Sequence, residues 1–291
     1  MRQQFRLIFI TENRIKNLYL TLISLLLGSL VFSQPAFALS EREQKIKESG
    51  KLQVCIWPDY FSISYKNKKT GLLEGIDIDL SQEFAKDLGV EVEYIPTHFG
   101  VFMDDIQQER CDIAMFGVGI TQDRAEYIDY SEPYLSSSMY GVANKTNPAL
   151  DSWEAMDQPG IIVCVQKGTY MDGVMRNSLK HAQVMAVVQN SQREIEVRSG
   201  RADVFIADYP YGQKMLKMYD WAKLLTPKQA TEQIQYAYAI KKDQPEWLER
   251  INTFVQAIKA DGRLEHAAQK NSLLPIALIQ PKPTKKTQTS N

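Results

Sequence analysis

Gly117-Val-Gly-Ile-Thr-Gln-Asp-Arg124, followed by Tyr130-Ser-Glu-Pro-Tyr134, is the stretch on which the reading of this chain turns. It continues the apolar run Cys111-Asp-Ile-Ala-Met-Phe116, which reads as a β-strand. A strand that runs into a Gly-x-Gly turn leaves unpaired backbone N–H groups at its carboxyl end, and Arg124 stands one helical turn beyond them. A guanidinium fork beside such amides suits a planar anion such as a carboxylate, which it grips through two parallel hydrogen bonds. Alone, the segment equally fits an ordinary strand-to-helix turn with a surface arginine, so its neighbours decide its weight.

Toward the amino terminus, Arg2, Arg6, Arg14 and Lys16 precede an apolar run from Leu18 to Phe32, and Ala36-Phe37-Ala38 supplies a small-x-small pattern. Residues 1–38 therefore read as a cleaved secretory signal peptide, which implies a periplasmic mature protein. The run is short and interrupted for a membrane span, and no cysteine follows it to carry a lipid. What remains is long enough for one large domain or two lobes of ordinary size.

The whole chain carries a formal net charge of −1, and its leader holds four of the cations against Glu12 alone, so the mature surface is mildly acidic. That balance argues against nucleic acid as a partner. Cys55, Cys111 and Cys164 lie in apolar runs without the spacing of a disulfide framework or a zinc site, and read as buried thiols with at most one bridge. His98, His181 and His266 are scattered singly, so no metal is expected, and no cofactor motif appears. The final segment, Pro281 to Asn291, lacks apolar residues, and a disordered tail is expected over 277–291.

Between these ends, short aliphatic runs alternate with helical patterns, as in parallel sheets covered by helices. Leu52–Trp57, Val90–Ile95 and Cys111–Phe116 make a first series of strands, with helices over Ile76–Leu88 and Phe99–Gln108. Ile161–Val165, Val184–Val188 and Asp203–Ala207 make a second, with helices over Tyr170–Leu179 and Ser191–Ser199. Two series imply two α/β lobes: 39–141 with 235–276 as the first, and 142–234 as the second. The runs Met139–Ala143 and Gln235–Ile240 connect them as a hinge. Open parallel sheets bind ligands at the carboxyl ends of their strands, so two facing lobes make a cleft.

Trp57 and Tyr60, Phe99, the segment from Phe116 to Arg124, Gln166-Lys-Gly168-Thr169-Tyr170 and Asp208 all fall at predicted strand ends. Each has a plain explanation as core or helix cap, and only their shared placement argues for function. Together they fit a zwitterion. Arg124 with the amides near Gly119 and Thr169 suits a carboxylate, Asp208 suits an ammonium, and Trp57, Tyr60 and Phe99 offer an aromatic wall. No Ser or Cys nucleophile with a neighbouring His and acid, and no Walker-type phosphate loop, accompanies them.

These residues resemble the solute-binding proteins of polar amino-acid ABC transporters, solute-binding family 3, from about Gly50 to Leu273. The resemblance is carried by Gly71-Leu-Leu-Glu-Gly-Ile-Asp-Ile-Asp-Leu80, Cys111 to Arg124, Tyr130 to Tyr134, Gln166 to Thr169, and Ala202 to Asp208. It implies a type 2 periplasmic-binding fold, α/β throughout, whose two lobes close on an amino acid. It further implies that Arg124 grips the α-carboxylate, Asp208 receives the α-ammonium, and Tyr60 and Phe99 sandwich the side chain. Gly117, Gly119, Gly168, Thr169 and Tyr170 match contact positions.

Trp57 stands where binders of cationic amino acids often carry an acid, and Phe116 and Gly117 replace small hydroxyl residues, which favours a neutral, apolar or aromatic ligand. The expected protein is a monomeric, non-catalytic carrier that delivers its amino acid to a membrane permease. Two alternatives remain open: a cyclohexadienyl dehydratase-like enzyme on the same fold, and a periplasmic sensor or accessory protein without a permease.

Overall fold

The computed structural model describes residues 39–228 and 233–280. The expected signal peptide and the segment 281–291 lie outside the described residues. Helix α1 (Glu41–Ser49) is capped by the Ser40 hydroxyl, which accepts the Glu43 N–H. The chain then builds β1 (Lys51–Ile56), β2 (Asp59–Tyr60), β3 (Ser64–Lys66), β4 (Leu73–Glu74), α2 (Ile76–Leu88), β5 (Glu91–Pro96), α3 (Phe102–Gln107) and β6 (Ile113–Gly119). After α4 (Gln122–Ala125) come β7 (Ile128–Tyr130), β8 (Leu135–Ser137) and β9 (Met139–Asn144). The second lobe adds β10 (Ile162–Gln166), α5 (Tyr170–Ser178), β11 (Gln183–Val187), α6 (Gln192–Arg198), β12 (Val204–Asp208), α7 (Tyr209–Met218) and β13 (Ala222–Leu225). The chain returns through β14 (Ile234–Lys241) to α8 (Pro245–Asp261) and α9 (Arg263–Lys270).

Beside a small sheet of order β2-β3-β4, the two larger sheets of the described residues repeat one plan. In the first, the order is β5-β1-β6-β14-β7, with β8 also on β14; β1 is parallel to β5 and β6, and β14 runs antiparallel to its neighbours. In the second, the order is β11-β10-β12-β9-β13; β10 is parallel to β11 and β12, and β9 is antiparallel. The chain passes from the first sheet to the second between β8 and β9, and back between β13 and β14. The carboxyl ends of β6 and β12 carry the ligand candidates Gly119 and Asp208.

The first lobe is held by an aromatic stack. Helix α2 buries Ile76, Leu80, Phe84 and Leu88 along one face, and Phe84 lies 5.6 Å from Trp247 and 4.6 Å from Phe254 of α8, centroid to centroid. Each such ring contributes about 1.5–3 kcal/mol by leaving water. The start of α2 depends on Gly75, whose φ is +131° and where a Cβ would meet the Ile63 carbonyl oxygen at 2.3 Å. Cys55 of β1 and Cys111, just before β6, form a disulfide with a Cα–Cα distance of 5.6 Å, while Cys164 is a buried free thiol. A bridge between neighbouring strands of one sheet could not be singled out from the spacing of three cysteines.

Three local expectations are corrected. Gly117 and Gly119 do not form a turn after the strand: β6 runs on through both, and Gly117 N–H donates to Asp77 Oδ2 at 2.8 Å. The acceptor comes from α2, forty residues away in sequence, which local reading does not reveal. The second helix begins at Phe102, so Phe99 sits in the preceding turn and not at a helix start. At the other end, Ala277 bridges Leu135 and the Leu278 N–H donates to the Tyr134 carbonyl at 2.9 Å, so ordered contacts continue past residue 276.

Candidate ligand site in the cleft

Trp57, Tyr60, Phe99, Gly117, Gly119, Arg124, Thr169, Tyr170 and Asp208 line one cavity between the sheets. Phe116 and Gly168 do not. Phe116 is fully buried behind Phe99, ring centroids 5.1 Å apart, and backs the aromatic wall. Gly168 lends only its carbonyl. The wall is tightly packed: Trp57 lies 5.4 Å from both Tyr60 and Phe99, in tilted and edge-on arrangements. The cavity is small, about 30 Å³.

Arg124 enters this space from α4, whose start is fixed by the Thr121 hydroxyl accepting the Arg124 N–H. Its Nη1 donates to the Gly119 carbonyl at 2.9 Å and its Nη2 to the Gly168 carbonyl at 2.9 Å, so one guanidinium touches both lobes. The group lies 5.4 Å from the ring centres of Phe99 and Phe102. Only 7% of Arg124 is exposed, and burial holds its pKa below the ordinary arginine value. Among the described residues its partners are carbonyls, a hydroxyl and rings, with no carboxylate. A desolvated guanidinium so placed favours an incoming anion.

Asp208 ends β12 and caps α7, accepting the Tyr211 N–H at 3.1 Å on Oδ1. Its Oδ2 accepts the hydroxyls of Tyr60 and of Tyr236, the latter at 2.8 Å. Both tyrosines are pushed well above the ordinary phenol pKa, first by burial and then by the Asp208 charge, so they remain donors. Asp208 is thus both a helix cap and a cavity residue, two roles the sequence left as alternatives. Thr169 likewise combines the N-cap of α5 with a place in the wall.

Sequence reasoning missed Asn190, Arg193, Tyr211 and Tyr236, which also line the cavity. Tyr236 alternates with core residues along β14 and reads as packing, and Arg193 sits in a polar helical stretch that reads as surface. Arg193 is 4% exposed: Nε donates to the Asn190 carbonyl at 3.4 Å, Nη2 to Asn190 Oδ1 and Nη1 to the Ile206 carbonyl. A buried arginine in a polar stretch has no signature that separates it from a solvated one.

The model of the bacterial extracellular solute-binding proteins, family 3, matches residues 52–272. The chain belongs to this family. Among curated relatives, the cyclohexadienyl dehydratase of Pseudomonas aeruginosa is 28% identical over 217 residues, covering 74% of this chain and 81% of the relative. The L-cystine-binding protein TcyJ of Escherichia coli K12 is 25% identical over 238 residues, covering 82% and 88%. Among solved structures, the ancestral amino acid-binding protein AncCDT-1, described as a precursor of cyclohexadienyl dehydratase, superposes with a TM-score of 0.72 at 30% identity over 78% of this chain and 98% of that one. The amino-acid ABC transporter substrate-binding protein AbpA from Streptococcus pneumoniae, bound to L-arginine, also gives 0.72, at 25% identity over 78% and 97%. Family and neighbours establish the two-lobed type 2 periplasmic-binding fold, with amino-acid transport as the setting of the family-3 proteins.

Proposed function

We propose that this family-3 chain captures an amino acid in the cleft, closes its lobes on it, and delivers it unchanged from the periplasm to an ABC-type permease. In this reading Arg124 holds the α-carboxylate, Asp208 receives the α-ammonium, and Trp57, Tyr60 and Phe99 flank the side chain. The observation that carries it is Arg124: a buried guanidinium with only neutral partners, joined to both lobes, so that an anion at this point favours their closure. Among the described lining residues Asp208 is the one acid, and it is assigned here to the ammonium, which leaves none for a cationic side chain.

The dehydratase reading draws on the Pseudomonas relative. It needs a general acid in the cleft, and Asp208 is the carboxyl among the described lining residues. Asp208 accepts three hydrogen bonds, from Tyr60, Tyr236 and the Tyr211 N–H, so its oxygens are already engaged as acceptors by the protein. This favours binding over catalysis.

A thermal-shift screen of the mature chain against the twenty amino acids and prephenate tests the proposal. A ligand at one hundred times its Kd stabilises the folded state by about 2.7 kcal/mol. Arg124→Ala should then lose about 2–5 kcal/mol of binding to that ligand while unfolding as a folded protein does. Unchanged affinity in the variant removes the carboxylate site, and phenylpyruvate formed from prephenate replaces carriage with catalysis.

A further inference from the structure

Arg193 places a second buried cation in the cleft, on the wall built by the second lobe. Its position is fixed by neutral acceptors alone, the side chain and carbonyl of Asn190 and the carbonyl of Ile206. Its plane lies over Tyr211 at 4.7 Å from the ring centre and over Phe205 at 5.4 Å. A guanidinium carries five N–H donors, so this frame orients the group and leaves donors for the cavity.

No carboxylate among the described residues pairs with it. Glu194, its neighbour in sequence, is engaged by the Tyr211 hydroxyl and by Lys214 at 3.2 Å. Asp59, whose carboxyl pKa is raised first by burial and which also feels the charges of Lys214 and Arg193, makes no ion pair with Arg193 and is exposed as a whole residue. Asp208 is held by Tyr60, Tyr236 and the start of α7. A buried cation without a counter-ion is costly to maintain, and a rigidly framed one at a cavity wall is complementary to a negative group brought from outside.

We infer that the ligand carries two acid groups, one for Arg124 and one for Arg193. This rests on the amino-acid reading above and replaces the neutral side chain expected from the sequence. Among the described lining residues Arg124, Arg193 and Asp208 leave one positive charge, which an acidic α-amino acid balances more fully than a neutral zwitterion does. The shared chemistry is a small dicarboxylate, with an ammonium group in an acidic amino acid and without one in a compound such as prephenate.

Calorimetric titration of the mature chain with L-aspartate, L-asparagine, L-glutamate, L-glutamine and prephenate tests the inference. One acid should bind at least about thirtyfold more tightly than its own amide, the effect of a paired buried charge. Arg193→Gln should bring that ratio to within about threefold, by a larger loss for the acid than for the amide, and Arg193→Lys should keep part of the preference. A strut role for Arg193 would instead weaken acid and amide equally.

If a neutral amino acid binds as well as or better than the acids, two acid groups are refuted while amino-acid capture stands. Binding of prephenate alone supports two acid groups and removes amino-acid capture. Silence across this panel and the twenty amino acids removes both. Should Arg193→Gln not fold, the acid-to-amide ratio of the unaltered chain decides.

Discussion

Tyr236 in β14 of the first lobe donates its hydroxyl to Asp208 Oδ2 at the end of β12 in the second, 2.8 Å away. The bond spans the cleft and ends on a carboxylate, and such charge-assisted bonds contribute about 1.5–3 kcal/mol. Tyr236→Phe keeps the ring in its buried place and removes the hydroxyl, with its bond to Asp208 and its interactions with Tyr60 and Ser137. The expected outcome is a tenfold or greater loss of apparent affinity, with a larger radius of gyration in small-angle scattering before ligand addition than the unaltered chain. Equal scattering curves and equal affinity would mean that the bond does not contribute to closure.

Asp208→Asn should discriminate between ligands. The amide still caps α7, so the fold should persist, but the charge offered to an ammonium is gone. An α-amino ligand should lose about 2–5 kcal/mol and its deaminated analogue far less. Equal losses in a pair of titrations would assign Asp208 to capping alone.

Asp77 gives the protein a pH-dependent term. Burial pushes its carboxyl from the ordinary 3.8 up to about 7, against the pull of the Tyr134 hydroxyl and the Gly117 N–H. The folded chain therefore holds a proton that the unfolded chain has released, so stability falls as pH rises from about 4 to about 7. Asp77→Asn, which keeps an acceptor for Gly117, should flatten this slope by an amount on the order of a few kcal/mol across that window. Denaturant midpoints of both proteins at pH 4.5 and pH 8 measure it; parallel slopes would show that Asp77 does not titrate there.

Reducing the Cys55–Cys111 bridge frees a loop whose ends are 56 residues apart. Chain-entropy reasoning puts the loss near 4 kcal/mol. Cys55→Ala/Cys111→Ala should unfold at a correspondingly lower denaturant concentration, and a reductant should shift the native chain but not the variant. A reductant-insensitive native chain would show the bridge to be absent in solution.

Most of the strands and the amphipathic helices were legible because their apolar spacing is local. That Arg124, Thr169 and Asp208 meet at one cavity was legible for a related reason, since a strand end followed by a capping residue or an arginine is a pattern of a few positions. Gly117 was misread because its amide is satisfied by Asp77 from another helix. Arg193 and Tyr236 were missed because their meaning lies in what the opposite wall contains, and no spacing along one chain encodes that. Helix α7 was given no range from the sequence, although Asp208 was read there as a possible cap, and the structure shows that cap in use.

The Arg124 bond to the Gly168 carbonyl involves backbone on the far side and no ligand atom. Together with Ser137 Oγ, which accepts the Tyr209 N–H at 2.9 Å, it links the two lobes through backbone groups of the second. On the proposed function, these two contacts involve no atom of the aromatic wall that flanks the cargo's side chain. On that proposal, a substitution at Trp57 or Phe99 is expected to alter the choice of cargo while the Arg124–Gly168 and Ser137–Tyr209 contacts stay in place.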